Sequence, residues 1–483
     1  MRIPMGLKYG LVLVAFNGGA TWSGAEQRHE SFDHEPEWDG LNNRSKAFDP
    51  RMIEQNFGYE AENRFGTDPG AIGGTITPAG KPAYYAKPVP QSDFDTPLSA
   101  SGSLVVEKGA GNTLLGFFNA DTVNEWRTPN SLVFRINGRG DFYHVHFEYA
   151  TAKWRAGAGV IGRYDAAADR VYPLEIPSEG VHAWSLTYDP SGNDGGGAIV
   201  ATFEDQRADS NLSEGHKADG AVFNRFGLLN VVKSADSPGK LWIGNVTING
   251  EPLDLSKDPQ WEGAGNRITY ETVDIRPRFD FGFSPTQHAK GKGAGELGGL
   301  FFRGDCRYPT SLAYYGERIG PLTLKGKLRA AGKMVLLRAV SDSTTLFGFF
   351  NSEHSVQVNP SQNHQTPSDF LGLSIEGPSS EGFYVYPRYR VHGGDDGYGR
   401  DHDLPRVYPD GTPHDWTFEY DPDSANGAGE ITLTLGTRST TLPLSSGHKD
   451  IGATFDRFGF VTTWIDGNGQ VVYVDDLEYT CKQ

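Results

Sequence analysis

The feature that most constrains this chain is that it is written twice. Glu35-Pro36-Glu37-Trp38-Asp39-Gly40 with Asn43-Arg44 returns as Asp258-Pro259-Gln260-Trp261-Glu262-Gly263 with Asn266-Arg267. Asn56-Phe57-Gly58-Tyr59 returns as Asp280-Phe281-Gly282-Phe283, and Gly73-Gly74 as Gly298-Gly299. Gly116-Phe117-Phe118-Asn119 matches Gly348-Phe349-Phe350-Asn351, and Tyr188-Asp189-Pro190 matches Tyr420-Asp421-Pro422. Gly215-His216-Lys217 and Arg225-Phe226-Gly227 recur at Gly447-His448-Lys449 and Arg457-Phe458-Gly459. Self-similarity on this scale means one domain used twice. The landmarks predict copies at 35–250 and 258–480, joined near 250–258.

Each copy reads as strands. Ser131 to Asn137 alternates apolar and polar and stops at Gly138-Arg139-Gly140. Trp184 to Tyr188 alternates too, and the Asp189–Gly197 loop returns the chain into Ile199 to Phe203, as Asp421–Gly429 does in the second copy. No sustained apolar period of 3.6 residues marks a major helix. The chain carries 62 glycines and 29 prolines against 4 methionines, the punctuation of an all-β protein. The expectation is all-β: two tandem antiparallel β-sandwiches.

Charge narrows the partners. A formal net charge of −17 disfavours a nucleic-acid backbone or an anionic membrane as the main partner, since both reward excess cations. A local arginine cluster can still meet an acidic glycan. Residues 1–25 read as a secretory signal: Arg2 and Lys8, the run Leu11 to Phe16, and small residues before Ala25. The mature protein is therefore expected to be secreted, extracellular or periplasmic. No other segment approaches the roughly 20 apolar residues of a membrane span. Given secretion, the two cysteines, Cys306 and Cys481, are expected to form one disulfide pinning the last strand to the start of the second repeat.

The Tyr-Asp-Pro hairpins, the aromatic-rich strands and closing strands such as Lys240 to Val246 carry a resemblance. The chain resembles secreted bacterial proteins with two tandem concanavalin A-like lectin/glucanase jelly-roll domains. That resemblance implies a protein that binds or degrades a polysaccharide or oligosaccharide. It brings no catalytic set with it: the Glu-x-Asp-x-(x)-Glu strand of the retaining glucanases is absent, as are the Gln-Ile-His and Tyr-Phe-Lys-Ala-Gly strings of the alginate lyases.

Candidate chemistry sits where side chains leave a strand at every second position. In Asp141 to Tyr149, residues Tyr143, Val145, Phe147 and Tyr149 face inward, so His144, His146 and Glu148 share the other face at about 6.6–7 Å intervals. Arg135 and Asn137 join them if the hairpin turns at Gly138–Gly140. Three readings stay open. Arg135 or Asn137 neutralises a uronate carboxylate while a neutral His144 or His146 takes the adjacent proton; the His/His/Glu set ligates a metal; or the strand is simply solvated.

The matching face of the second copy is rewritten as Glu376, Tyr384, Tyr386, Arg388 and Arg390, an aromatic and cationic strip suited to sugars and carboxylates. Pro387 predicts an edge or bulge there. Glu125-Trp126-Arg127 and Trp154-Arg155 are candidate groove rims. Asp395 and Asp396, with Arg400-Asp401-His402-Asp403, could take a structural Ca²⁺, though no cofactor is required. Gly-His-Lys occurs in both copies, which favours a structural role.

These residues point to a polysaccharide-degrading enzyme, a lyase on acidic glycan ahead of a hydrolase. A non-catalytic glycan-binding or cell-surface protein is the alternative. A hydrolase needs two carboxylates about 5–10 Å apart across a groove, and Glu148 has no partner evident in the sequence.

Overall fold

The structure, a computed structural model, describes residues 25–45, 51–66, 69–107, 109–123, 128–232, 236–272, 279–361, 364–377, 382–399 and 405–482. The expected signal segment therefore lies, apart from Ala25, outside the described residues. So do Glu125, Trp126 and Arg127, and the segment Arg400 to Asp403.

Period-2 patterning dictates the elements. In Phe142–Ala150 the inward residues Tyr143, Val145 and Phe147 are fully buried, while His144, His146 and Glu148 between them are half-buried. Such strands build antiparallel sheets that pair into two sandwiches. In the first, one sheet runs 206–211, 198–203, 181–189, 98–106, 239–248, 71–76, 51–60, 267–272. Its facing sheet runs 156–160, 142–150, 131–140, 109–118, 223–230, 84–92, 262–264. The second sandwich repeats both orders, with 438–443, 430–435, 414–421, 328–339, 469–481, 296–302, 279–284 facing 396–398, 383–390, 370–376, 344–350, 454–461, 314–323, 39–41. The α-helices described are single turns, His216–Asp219 and His448–Ile451. No helix among the described residues is long and apolar enough to cross a membrane.

The repeated landmarks do matching work. Gly74 and Gly299 take φ +132° and +134°, where a Cβ would meet a backbone oxygen of the neighbouring strand at 2.2 and 2.1 Å, so only glycine fits. His216 Nδ1 lies 2.9 Å from the Tyr149 hydroxyl, and His448 Nδ1 lies 3.1 Å from that of Tyr389. Lys217 donates to Pro190 and Gly195 carbonyls, and Lys449 to those of Pro422 and Gly427. The Gly-His-Lys motif thus ties the Tyr-Asp-Pro hairpin to the sandwich.

The spatial units do not follow the boundaries 35–250 and 258–480. Glu26–Glu30 pairs with 477–481, and Asp39–Leu41 pairs with Tyr314–Gly316, so the leading segment completes the second sandwich. Glu262–Ala264 and Arg267–Thr272 pair with 84–86 and 51–56, completing the first. Trp38 stacks on Tyr315 at 5.9 Å and Trp261 on Tyr85 at 5.7 Å, each at about the same tilt. Arg457 pairs with Asp39 at 2.9 Å and Arg225 with Glu262 at 2.7 Å. The first unit is therefore 51–272, and the second is 279–481 plus 26–44. Where the first has the Asn249-Gly250 turn between 239–248 and 251–252, the second has the separate strands 469–481 and 26–30.

Two further expectations change. Cys306 and Cys481 are both buried and are not joined in a disulfide. Cys306 packs with Leu312 and Trp464, and its thiol donates to the Asn359 carbonyl at 3.2 Å, whereas Cys481 belongs to the main core of the second sandwich. Pro387 sits inside the sheet opposite Leu373. On its other side the described residues pair in ladders at Arg388–Arg390 and Phe383–Tyr384, and the Pro387 carbonyl between them accepts the Gly399 N–H at 3.0 Å, an irregular stretch that accommodates a residue without an N–H.

Candidate functional site

In the first sandwich the strands 131–140 and 142–150 pair in a register that sets Arg135 opposite His146, Asn137 opposite His144 and Val133 opposite Glu148. All five candidate side chains, Arg135, Asn137, His144, His146 and Glu148, therefore share one face and are half-buried. Arg135 is not a free cation: its Nη2 donates to Glu148 Oε1 at 2.6 Å. The imidazoles of His144 and His146 lie 6.4 Å apart, centroid to centroid. Burial holds the pKa of both below the ordinary histidine value, assisted by Arg139 at His144 and by Arg135 at His146. Both rings are accordingly neutral at physiological pH, with a lone pair to offer.

His146 lines a groove of about 690 Å³. One wall is the hairpin Gly162–Asp165 with Arg170–Pro173, which presents Tyr164, 63% exposed, and Arg170. Arg170 lies 5.1 Å over the Tyr172 ring. The other wall is the edge strand 206–211, with Arg207 and Asp209. Sequence reasoning missed Tyr164, Arg170 and Arg207; the exposed aromatic and cation in a hairpin were the available signal. Trp154 is half-buried at φ +66°, and Arg155 turns away to an ion pair with Asp219. Arg155 thus fastens the loop at 213–220 and does not rim the groove.

The second-copy strip is not exposed. Strand 383–390 is buried along its whole length, and Tyr384, Tyr386, Arg388 and Arg390 are 2, 1, 3 and 5% exposed. The segment 364–369 lies over it. Arg388 donates through Nε to Thr366 at 2.7 Å and through Nη2 to Gln365 at 3.0 Å, and Arg390 donates to the Thr366 carbonyl at 3.0 Å. Arg390 also stacks 4.7 Å over Trp464, and Arg406 lies 5.1 Å over Tyr384. At the centre Glu376 accepts from Arg303 at 2.8 Å, from Arg388 at 3.2 Å and from the Tyr386 hydroxyl. Burial drives the Tyr386 pKa well above the ordinary phenol value, against the pull of Arg388.

What remains open is a cleft of about 530 Å³ between the sandwiches, lined by Glu148 from the first and by Arg303, Asp342, Gln365 and Glu376 from the second. It brings Glu148 and Glu376 to one cavity, a pairing invisible in the sequence. Asp396 is already held by His364 at 3.2 Å and Thr366 at 2.7 Å, while the Asp395 side chain is 81% exposed.

No protein-family model matches the chain, and no curated protein matches it. It is similar to solved structures of the mouse laminin alpha1 chain, domains LG4-5 (12% identity, covering 86% of this chain and 91% of that one, TM-score 0.24). It is also similar to the Emp47p carbohydrate recognition domain (11% identity, 39% and 84% covered, TM-score 0.26). A third is endo-beta-1,4-glucuronan lyase from the fungus Trichoderma reesei (11% identity, 47% and 95% covered, TM-score 0.24). The all-β, two-sandwich architecture rests on the sheets themselves.

Proposed function

We propose that this is a secreted protein acting on a polysaccharide, and that it cleaves a uronate-containing glycan by elimination in the groove over His146. The observation that carries this reading is a neutral, partly desolvated imidazole in a groove with an exposed tyrosine and unburied arginines. In such a reaction His146 removes the proton from the ring carbon beside the carboxylate. The electron pair forms the ring double bond and expels the glycosidic oxygen, which takes a proton from solvent. Arg170 offsets the charge that develops on the carboxylate, across the groove from Arg207, which is itself paired with Asp209 at 2.8 Å. Asn137, on the same sheet face as His146, can donate its amide to the same group. Tyr164 offers a face to a neighbouring sugar.

The test is incubation with uronate, sulfated and neutral polysaccharides, reading both the ultraviolet absorbance of an unsaturated product and new reducing ends. His146→Ala is expected to lose about 10²–10⁴-fold in turnover with unchanged thermal melting. Full activity in both His146→Ala and His144→Ala would sink the proposal. A second reading is favoured by the inter-sandwich cleft with Glu148 and Glu376. Reducing ends without the absorbance would mark a hydrolase there, and binding without either product would mark a glycan-binding protein.

A further inference from the structure

At one rim of the second sandwich, three residues far apart in sequence meet. Nδ1 of His354 lies 3.1 Å, and Nδ1 of His392 2.7 Å, from the same carboxylate oxygen, Oδ2 of Asp369. The imidazole centroids are 4.5 Å apart, and one ligand atom from each of the three residues lies within 4.8 Å of the others. Asp369 is fully buried, while the His354 and His392 side chains are 36% and 57% exposed. A cavity of about 380 Å³ opens onto the two imidazoles.

The first sandwich shows which part of this arrangement the fold requires. Asn130 occupies the matching position at φ +55°, and its Oδ1 accepts the Val222 N–H at 3.0 Å. Asp369 has φ +52°, and its Oδ1 accepts the Thr454 N–H at 2.9 Å. The structural task thus uses the left-handed backbone and one oxygen, which asparagine supplies equally well. His392 matches Ala152: both backbone N–H groups donate at 2.8 Å, to Gly452 and Gly220 respectively. His354 matches Thr122, three residues after the equivalent Asn351 and Asn119, each of which accepts a backbone N–H two residues on. On an unchanged frame, the second sandwich carries a second carboxylate oxygen and two imidazoles at three positions that converge in space.

We propose that His354, Asp369 and His392 bind one divalent transition-metal ion, zinc by preference, through the two imidazole nitrogens and Asp369 Oδ2. The donor set selects the class of ion: imidazole nitrogen suits zinc and its neighbours, whereas calcium and magnesium require mostly oxygen. Metal–ligand bonds of about 2.0–2.1 Å at tetrahedral angles set ligand atoms about 3.3 Å apart, and the two imidazole nitrogens, 3.1 and 2.7 Å from Asp369 Oδ2, already lie near that spacing from the shared oxygen. The carboxylate is already oriented by the Thr454 N–H on Oδ1 and by the Ser368 hydroxyl, 3.1 Å from Oδ2. Three protein ligands facing a cavity leave a coordination position for water or for an oxygen of a ligand.

The experiment uses the full, untagged chain after chelator treatment, titrated with Zn²⁺ by calorimetry and with Co²⁺ by visible absorption. One equivalent of metal is expected to bind. Asp369→Asn installs the residue the first sandwich carries, so it should keep the melting temperature and lower zinc affinity by about 100-fold or more. His392→Ala, at an exposed position, should do the same and abolish the Co²⁺ bands. Failure of the wild-type chain to take up either ion would overturn the proposal and leave a hydrogen-bonded triad. Equal uptake by wild type and His392→Ala would overturn it too, whether or not Asp369→Asn folds.

Discussion

Replacing Glu376 by glutamine decides whether the second-copy strip is a binding surface or an internal brace. The Glu376 side chain is 11% exposed and meets two guanidinium groups, Arg303 at 2.8 Å and Arg388 at 3.2 Å, which are themselves 9% and 4% exposed. Glutamine keeps the volume and one accepting oxygen but removes the charge. Arg303 retains Asp342, whose side chain is 61% exposed, but Arg388 keeps hydrogen bonds only to Thr366, Gln365 and Tyr386, all neutral, with the Asp396 carboxylate acting on it through space. Orphaning one member of a buried pair costs about 3–5 kcal/mol, and the hydrogen bonds that survive favour the lower end, about 3 kcal/mol. At about 2–4 °C per kcal/mol for a unit of this size, melting should fall by roughly 6–12 °C. Scanning calorimetry and urea unfolding of the full chain read this directly. Glu376→Gln with Arg388→Met should recover part of the loss, because the unpaired cation goes too. A single variant within about 0.5 kcal/mol of wild type that nevertheless loses glycan binding would refute the reasoning and return the strip to the surface.

Asp475 is fully buried with one oxygen unpartnered, and burial pushes its carboxyl up to about 6, with Asp476 and Glu296 adding to the rise. A raised acid favours the folded state while protonated, so its contribution is present below the unfolded value near 4 and is lost as pH rises through about 6. Asp475→Asn should therefore flatten stability between about pH 4 and 6 and gain on the order of 1–3 kcal/mol above it, read by urea unfolding across pH; an unchanged pH profile would contradict this. Trp38→Ala and Trp261→Ala should each cost about 3–5 kcal/mol. Hydrogen exchange should rise in 279–481 for Trp38→Ala and in 51–272 for Trp261→Ala, and the opposite pattern would disprove the closure.

Much of the fold was legible because period-2 burial is local: Tyr143, Val145 and Phe147 announce their face, and with it the face of His144 and His146. The closure was not legible. Repeats say that Trp38 and Trp261 are equivalent, but not which sandwich each completes, since both connections use the same local sequence. The exposed reading of Tyr384, Tyr386, Arg388 and Arg390 failed for a related reason. Alternation identifies a face, whereas its covering by Gln365 and Thr366 depends on a segment from elsewhere in the chain. The longer stretch from Asn351 to Asp369, against Asn119 to Asn130 in the first copy, was the available hint. The His354/Asp369/His392 cluster escaped notice because it lies on three separate loops and appears only when the copies are compared position by position.

The leading segment also dictates an order of events during synthesis. Gln27 bonds to Thr480 across 453 residues, and Arg457 reaches Asp39 across 418. The first sandwich has all its strands once residue 272 has left the ribosome, so it can fold while the second is still being made. The strands 26–30 and 39–41, translated earliest, must wait longest for their partners. Closing so long a loop costs little extra free energy, since that cost grows only with the logarithm of length, but it delays the final contacts. A waiting strand is a hazard if it pairs with the wrong edge. Glu26-Gln27-Arg28-His29-Glu30 is polar at every position, with charges of both signs, and such a strand resists adventitious pairing until strand 469–481 arrives.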